Sequence, residues 1–419
     1  MILFSLVLIA LALIGAPLFA IIGASAMWGF FQADIPQVVM GIELYRIAEM
    51  PILLAIPLFT FAGYVLSESQ APSRLVRLSN ALLGWMPGGL AVVCLATCAL
   101  FSAFTGASGV TIIALGALLY PALLEGGYKE GFSLGVVTSS GSLGMLFAPS
   151  LPLILYGVVS QVSIDNLFRA GVTPGILMVI MLSIWCIWSS RKNRKALEAF
   201  SWVEVRQALR EAAWEIPLPI VVLGGIYSGY FAVSEAAAVT ALYVLVLYLL
   251  VRREIKFVDM PRIMRESMVL VGGILMILGV SIASTSLMID LEAPQKLLAA
   301  INSLVSGQVS FLLLMLLFLL ILGAILDIFS ALVLIVPLLL PIAESYGIHP
   351  LHFGIIFLAT MELGYLTPPV GLNLFISSYR FEKPITSVYL ATIPFFLILL
   401  LSVLVITFVP QLSLWLVPD

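Results

Sequence analysis

Two acidic residues stand where an acid is costly. Asp327 in GAILDIFSAL and Glu362 in ATMELGYL are flanked by apolar runs long enough to lie in a bilayer. A charged side chain at bilayer depth costs about 3 kcal/mol or more, so it persists where it binds something or is tied down. Asp327 could cap a helix and Glu362 could pair with a hydroxyl. Around them stand Gly323, Ser330, Thr360, Gly364 and Thr367. A second set lies earlier: Ser102, Thr105, Gly106, Ser108 and Gly109 in FSAFTGASG, facing Ser139, Ser140, Gly141 and Ser142. Carboxylates, hydroxyls and exposed carbonyls are hard oxygen donors. They suit Na⁺, and an acid could instead carry H⁺. The competing reading for each Ser or Thr is a hydroxyl bonded back to its own helix.

Each set lies beside a helix break. Thr367-Pro368-Pro369-Val370-Gly371 cannot continue an α-helix, because proline lacks the N–H and clashes with the preceding turn. Ala148-Pro149-Ser150-Leu151-Pro152 breaks the earlier apolar run in the same way. At membrane depth the freed N–H and C=O groups must face protein, an ion or a polar ligand. Half-helix C-termini and unwound carbonyls suit a cation, and half-helix N-termini suit an anion. The half-helix beginning near Val370-Gly371-Leu372-Asn373 therefore presents N–H groups to an anionic ligand.

Composition sets the solvent. Of 419 residues, 62% are hydrophobic and 10% charged, and the mean hydropathy is +1.19. Soluble domains carry about 25% charged residues, so this is an all-α polytopic membrane protein in a lipid bilayer. No basic stripe with interleaved aromatics suggests nucleic acid. Cys94, Cys98 and Cys186 are too few for a disulfide framework, and Cys94 and Cys98 read as small packing residues. His349 and His352 fall at a loop and a span start, which argues against metal ligation.

In chain order, residues 2–24 read as a retained first span and 25–50 as an extramembrane connection. A span follows at 51–67, then an interfacial amphipathic helix at 68–88 carrying Arg74 and Arg77. Residues 90–120 read as a re-entrant hairpin around FSAFTGASG. Its arms have about 12 residues each, where a span needs about 20. A broken helix occupies 131–163. Spans follow at 171–190, 215–232, 236–251 and 267–289, and Glu235 caps the start of one of them. A surface helix lies at 296–306, a second hairpin at 310–341, the second broken helix at 354–379 and a last span at 386–409. Arg191, Lys192, Arg194, Lys195, Arg206 and Arg210 form one basic cluster; Arg252, Arg253, Lys256, Arg262 and Arg265 form another. Two spans separate the clusters, so they share a side, which the positive-inside rule makes cytoplasmic. Counting outward, the N-terminus is cytoplasmic and the C-terminus periplasmic.

The two halves repeat. Pro121 and Pro341 are 220 positions apart (341 − 121 = 220), and the same offset relates Gly127 to Gly347, Leu143 to Leu363, Gly144 to Gly364 and Pro149 to Pro369. By the charge count the halves have opposite topology. An inverted repeat with broken helices is a signature of secondary transporters.

The motifs LAIPLFTFAG (54–63), FSAFTGASGVTIIALG (101–116), GMLFAPSLPLILYG (144–157), SEAAAV (234–239), GAILD (323–327), PLLLPIAESYGI (337–348) and GYLTPPVGLNLF (364–375) cover most of the chain. With the Pro121-to-Tyr128 hairpin exit they resemble the large membrane subunit of the tripartite ATP-independent periplasmic (TRAP) transporters. TPPVGLNLF looks like the C4-dicarboxylate type. The resemblance implies an elevator fold with scaffold and mobile transport domains. It also implies Na⁺ as the coupling ion, an organic-acid substrate, a periplasmic substrate-binding protein and a separate small four-helix membrane subunit. It places Na⁺ where hairpin tips meet broken helices. The candidate cation ligands are Ser102, Gly106, Ser108, Gly141, Gly323, Asp327, Thr360, Glu362, Gly364 and Thr367, and the candidate substrate contacts are Thr105, Ser150, Gly371 and Asn373. The first tip, Gly106-Ala107-Ser108, departs from the family's usual Gly-Ser-Ser-like form, and Ala148-Pro149-Ser150 departs from Pro-Pro-Ser.

The expected organisation is scaffold with the first arm helix over 1–88, transport half over 89–163, scaffold with the second arm helix over 164–307, transport half over 308–380 and a C-terminal span over 381–419. The alternative within this fold is a stand-alone ion-coupled carrier of organic anions. An intramembrane enzyme using Asp327 and Glu362 is the reading from another class. It lacks an HExxH motif and any Gly-x-Gly-Asp setting around either acid.

Overall fold

Prolines, glycines and hydroxyls divide the apolar chain, and the helices end where those residues stand. The computed structural model describes residues 7–8, 10–11, 14–191, 200–305 and 307–418, and the described residues form helices and turns without a strand. Seven described helices are long and apolar enough to cross a membrane, or eight if the bent pair Glu130–Leu146 and Leu151–Ser160 is one span.

Each half holds one helical hairpin and one broken helix. The first hairpin is Gly89–Thr105 and Ser108–Glu125, turned by Gly106 at φ 63, a left-handed conformation that glycine adopts without a Cβ clash. Its broken helix is Glu130–Ser140, a 3₁₀ turn Leu143–Leu146 and Leu151–Ser160. The second hairpin is Gln308–Gly323 and Ile328–Ser345, and its broken helix is Pro350–Gly364 and Leu372–Arg380. Helix ends repeat at the offset of the prolines: Ser108 with Ile328 (328 − 108 = 220), and likewise Glu125 with Ser345, Glu130 with Pro350 and Ser160 with Arg380. The peptide bonds entering Pro149 and Pro369 are both cis.

The packing crosses between the halves. Ser108–Glu125 packs on Leu372–Arg380, and Ile328–Ser345 packs on Leu151–Ser160. The second arm of each hairpin thus lies against the second half of the other repeat's broken helix. The first arms stay at home: Gly89–Thr105 packs on the Leu143–Leu146 turn, and Gln308–Gly323 on Pro350–Gly364. Ile164–Ser190 packs on Gly89–Thr105 and Pro350–Gly364, and Ile385–Phe408 on Glu130–Ser140. In a second group, Val233–Leu245 packs on Ala55–Glu68, and Met260–Asp290 packs on Ala55–Glu68 and Leu18–Gln32.

Several expectations shift. The first helix fully described is Leu18–Gln32, entered through Gly15 at φ 92 and Pro17, so the chain turns inside the expected 2–24 span; residues 2–6, 9, 12 and 13 of that span lie outside the described residues. The expected connection 25–50 is largely helical, with Val38–Ala48 following Leu18–Gln32. The arms of the first hairpin are longer than expected, 17 and 18 residues, and those of the second have 16 and 18. At the first tip the Ser102 and Thr111 hydroxyls bond back to Cys98 O and Ala107 O. The surface helices are Ala71–Leu83 and Ala293–Leu304, with residue 306 outside the described residues, as are Lys192, Arg194 and Lys195.

The sequence reading missed what holds Ala71–Leu83 in place. Arg74 bridges Glu215 and Glu254 at 2.6 Å each, and Tyr248 donates to Glu215 at 3.1 Å. Arg77 pairs with Glu204 and Glu211, while Arg252 donates to the Glu211 carbonyl. These bonds draw the 68–88, 201–215 and 252–265 segments to one end of the molecule.

Candidate functional site

Both hairpin tips dock on helix breaks. At the first, the Ser102 hydroxyl donates to Cys98 O at 2.7 Å and accepts from the Gly144 N–H at 2.8 Å. Gly144 is obligatory there, since a Cβ would stand 2.2 Å from Ala99 O and 2.4 Å from Ala103 N. Gly106 abuts Leu151, beside Ser150, and Gly141 abuts Ile112 and the Ser108 carbonyl. Thr105 faces Thr111 hydroxyl to hydroxyl at 3.3 Å. Ser150 caps Leu151–Ser160 and donates back to Met145 O.

At the second, Ala324 O accepts from the Val370 and Gly371 N–H groups at 3.2 and 3.1 Å. A Cβ on Gly364 would lie 2.6 Å from the Gly323 Cα, so the two helices touch backbone to backbone. Asp327 caps the second arm, accepting from Phe329 N and Ser330 N at 3.0 Å each and from the Ser330 hydroxyl. The Tyr365 hydroxyl accepts from Ile328 N at 2.7 Å.

The hydroxyls divide between the readings weighed above. Thr360 and Thr367 donate to Ile356 O and Leu363 O of their own helix, as Ser139 does to Gly135 O, though each oxygen keeps acceptor capacity. Glu362 does not pair with a hydroxyl. It is 1% exposed, and neither carboxylate oxygen has a protein partner among the described residues. Glu235 caps its helix by accepting from Ala232 N at 2.9 Å. His349 caps Pro350–Gly364, while His352 lies between the Ser413 hydroxyl and Thr407 O.

Asn373 joins the two sites. Its amide donates to Thr138 O at 3.4 Å and to the Ser142 hydroxyl at 3.3 Å, across the repeats, and its Oδ1 is buried without a partner. One turn on, the Ser377 hydroxyl is also buried and unpartnered. Ser377 was not among the candidates. Its place four residues after Asn373 on the same helix face could have found it.

A crevice of about 650 Å³ opens beside the first hairpin. Val110, Ile113, Ala114, Ala117 and Arg380 line one wall; Tyr64, Ser67, Glu68, Arg265, Glu266 and Val269 line the other.

Residues 2–412 match the family described as tripartite ATP-independent periplasmic transporter, DctM component. The chain belongs to this family. It is 34% identical to the C4-dicarboxylate TRAP transporter large permease protein DctM of Pseudomonas aeruginosa, over 90% of this chain and 88% of that protein. It is 31% identical to the ectoine/5-hydroxyectoine TRAP transporter large permease protein UehC of Ruegeria pomeroyi, over 98% and 97%. The isethionate TRAP transporter permease protein DctMQ of Oleidesulfovibrio alaskensis is longer: at 32% identity this chain covers 64% of it. The YdaH transporter of Alcanivorax borkumensis, whose crystal structure is described as having an unusual topology, shares the fold, with a TM-score of 0.65 at 14% identity over 99% of this chain. This DctM-family chain is a multi-pass membrane permease and not an enzyme.

Proposed function

We propose that this chain is the large permease subunit of a Na⁺-coupled TRAP system of the bacterial inner membrane. It imports an organic acid delivered by a periplasmic substrate-binding protein. A separate small four-helix subunit completes the membrane part, which accords with the greater length of the DctMQ relative. The N-terminus lies in the cytoplasm and the C-terminus in the periplasm. The substrates in the relatives' names share an anionic carboxylate or sulfonate group. The Val370 and Gly371 N–H groups are taken by Ala324 O, so the start of Leu372–Arg380 is left to meet such an anion, with Thr105, Ser150, Gly371 and Asn373 as the proposed contacts.

The observation that carries this reading is the docking of each hairpin tip on a helix break, with Asn373 joining the two. The donors at the tips are oxygens, which fits Na⁺. At the first tip the Ser102 hydroxyl is already engaged at 2.8 Å by Gly144 N, so the carbonyls there and the Gly141 region are the better ligands. At the second, Gly323, Asp327, Gly364 and Thr367 surround the tip, with Thr360 and Glu362 behind.

The hairpins and broken helices move as one elevator body. Ile164–Ser190 and Ile385–Phe408 go with them, because the helices they pack on most belong to that body; this moves Ile164–Ser190 from the expected scaffold, and the C-terminal span with it, to the mobile part. The crevice beside Arg265 and Arg380 is the cytoplasmic release path. The test is uptake into proteoliposomes holding both membrane subunits, with the loaded binding protein outside. Uptake should need an inward Na⁺ gradient. Uptake unchanged without one would overturn the coupling.

A further inference from the structure

One short helix at the basic end carries a face that suits neither water nor hydrocarbon. Trp202–Glu211 comes after the 27-residue helix Ile164–Ser190 and before the apolar helix Pro217–Tyr227, so it stands between the ends of two membrane helices. It packs on the arm helix Ala71–Leu83, and its Val205 and Ala208 are buried. Its acids are drawn to that arm: Glu204 and Glu211 both pair with Arg77. At 3.6 residues per turn the outward face reads Trp202, Val203, Arg206, Leu209 and Arg210, with Trp214 in the turn that follows. Trp202 is 75% exposed and Val203 69%, and both arginines are exposed. No acid stands on this face. Among the described residues neither Arg206 nor Arg210 forms an ion pair.

The same composition continues around the helix. The rings of Trp85, Phe200 and Trp202 meet edge to face, with centroids 6.4 and 5.2 Å apart, and all three are exposed. In the neighbouring segment Arg253 and Lys256 are exposed beside Phe257 and Val258. Arg74, through Glu254, and Arg252, through Glu211 O, hold that segment to the same end. Clustered exposed tryptophans are costly in water. Unpaired guanidinium groups are costly in hydrocarbon. The headgroup layer meets both needs, because indole rings settle at that level and a guanidinium matches phosphate oxygens.

We propose that the outward face of Trp202–Glu211 is an anchoring site for anionic phospholipid: Arg206 and Arg210 hold lipid phosphates, and Trp202, Val203, Leu209 and Trp214 sit among the first acyl carbons. Anionic lipid is preferred because the face offers cations and has no acid to meet the ammonium group of a zwitterionic head. The anchor reaches the first hairpin through the arm. Arg77 joins Ala71–Leu83 to Trp202–Glu211, and Ser79 of the arm accepts from the Thr97 hydroxyl of the hairpin at 3.0 Å. The site requires only the membrane location of the family, so it stands or falls apart from Na⁺ coupling.

The test uses the permease with its small subunit in vesicles of phosphatidylcholine and phosphatidylglycerol, with a fluorophore on Val203→Cys. The native Cys94, Cys98 and Cys186 are buried and do not compete. Phosphatidylglycerol with a spin label high on its acyl chain should quench the fluorophore about threefold more than phosphatidylcholine with the same label. Salt at about 1 M, where the Debye length is about 3 Å, should remove the preference. Arg206→Gln with Arg210→Gln should remove it as well, and Arg206→Lys with Arg210→Lys should keep most of it. If the Gln pair fails to assemble, the salt titration of Val203→Cys alone decides. Equal quenching by the two lipids, or a preference that survives salt or the Gln pair, would overturn the proposal. Quenching by aqueous iodide and not by lipid would place the face in water and overturn it too. So would lipid quenching seen only when the small subunit is left out, which would give the face to that subunit.

Discussion

The side-chain amide of Asn373, in the second broken helix, donates to the Ser142 hydroxyl in the first at 3.3 Å. Asn373 is 0% exposed and also reaches Thr138 O, so a side chain of one repeat completes the unwound backbone of the other. At the same offset in the first repeat stands Leu153, so the bridge is one-sided. The two-fold architecture therefore holds a bridge that is not two-fold in chemistry.

Asn373→Leu should remove both bonds and leave Thr138 O and the Ser142 hydroxyl short of a partner. Each lost bond is worth about 1 kcal/mol, with more for a buried orphan. The variant should insert in the membrane and lose at least tenfold in uptake. Uptake within twofold of wild type at equal expression would show that the bridge is dispensable.

Tip docking leaves no room for a methyl group. Gly144→Ala would drive its Cβ onto Ala99 O, and Gly364→Ala onto the Gly323 backbone. Overpacking of this kind costs about 1–3 kcal/mol, and here the obstacle is backbone that cannot rotate away. Both variants should lower the unfolding temperature in detergent and impair uptake. Gly272→Ala is the control: nothing lies within 4 Å of that position, and alanine favours the helix.

Sequence patterns exposed what depends on backbone chemistry. Pro149, Pro369, Gly127 and Gly347 announced the breaks and turns, because proline and glycine act locally. The offset of 220 they revealed recurs in the helix ends. Hydroxyl placement was less legible. A Ser or Thr reads alike whether it faces a ligand or bonds its own helix, and Thr360 and Thr367 took the second course. The long-range partners Glu215 and Glu254 of Arg74 lie 141 and 180 positions away, and no local pattern announces them.

That cluster gives a stability test. Arg74 is buried between two carboxylates, whereas Arg77 is 39% exposed. Removing one partner of a buried pair costs about 3–5 kcal/mol, and an exposed pair is worth about 0–1 kcal/mol. Arg74→Gln should therefore destabilise the permease far more than Arg77→Gln in thermal unfolding. The pH dependence has a definite sign. Burial pushes the Glu254 carboxyl up, but the bonds from Arg74 and Gln70 N, with the charges of Arg74 and Arg252, more than reverse this and hold it below its ordinary value. Its stabilising contribution is present above the ordinary carboxylate range and is lost as pH falls through the lowered value. Acid unfolding should shift to higher pH in Arg74→Gln.

The crevice has two arginines facing from opposite walls. Arg380 is held by its Nε–H to Ile113 O at 3.2 Å. Arg262, one turn before Glu266, pairs with Glu68 and Glu266, which leaves Arg265 as a second cation for a departing anion. Arg265→Gln and Arg380→Gln should each raise the half-saturating internal substrate concentration in counterflow several-fold, with less effect at high salt. Equal counterflow curves would exclude a role in release.

Motion between the crevice walls can be stopped directly. Ile113 belongs to the hairpin wall and Val269 to the opposite one, both are exposed, and both line the same opening. Ile113→Cys with Val269→Cys places one thiol on each body, and the native Cys94, Cys98 and Cys186 are buried and do not compete. A bifunctional maleimide that spans the crevice should lock the hairpin beside Met260–Asp290. If the hairpin carries solute by moving as a body, uptake should fall in proportion to the crosslinked fraction. It should return when a cleavable linker is cut, and either single cysteine with the same reagent should transport normally. Full uptake at complete crosslinking would mean that hairpin and outer helix do not move apart, and the elevator reading would be wrong.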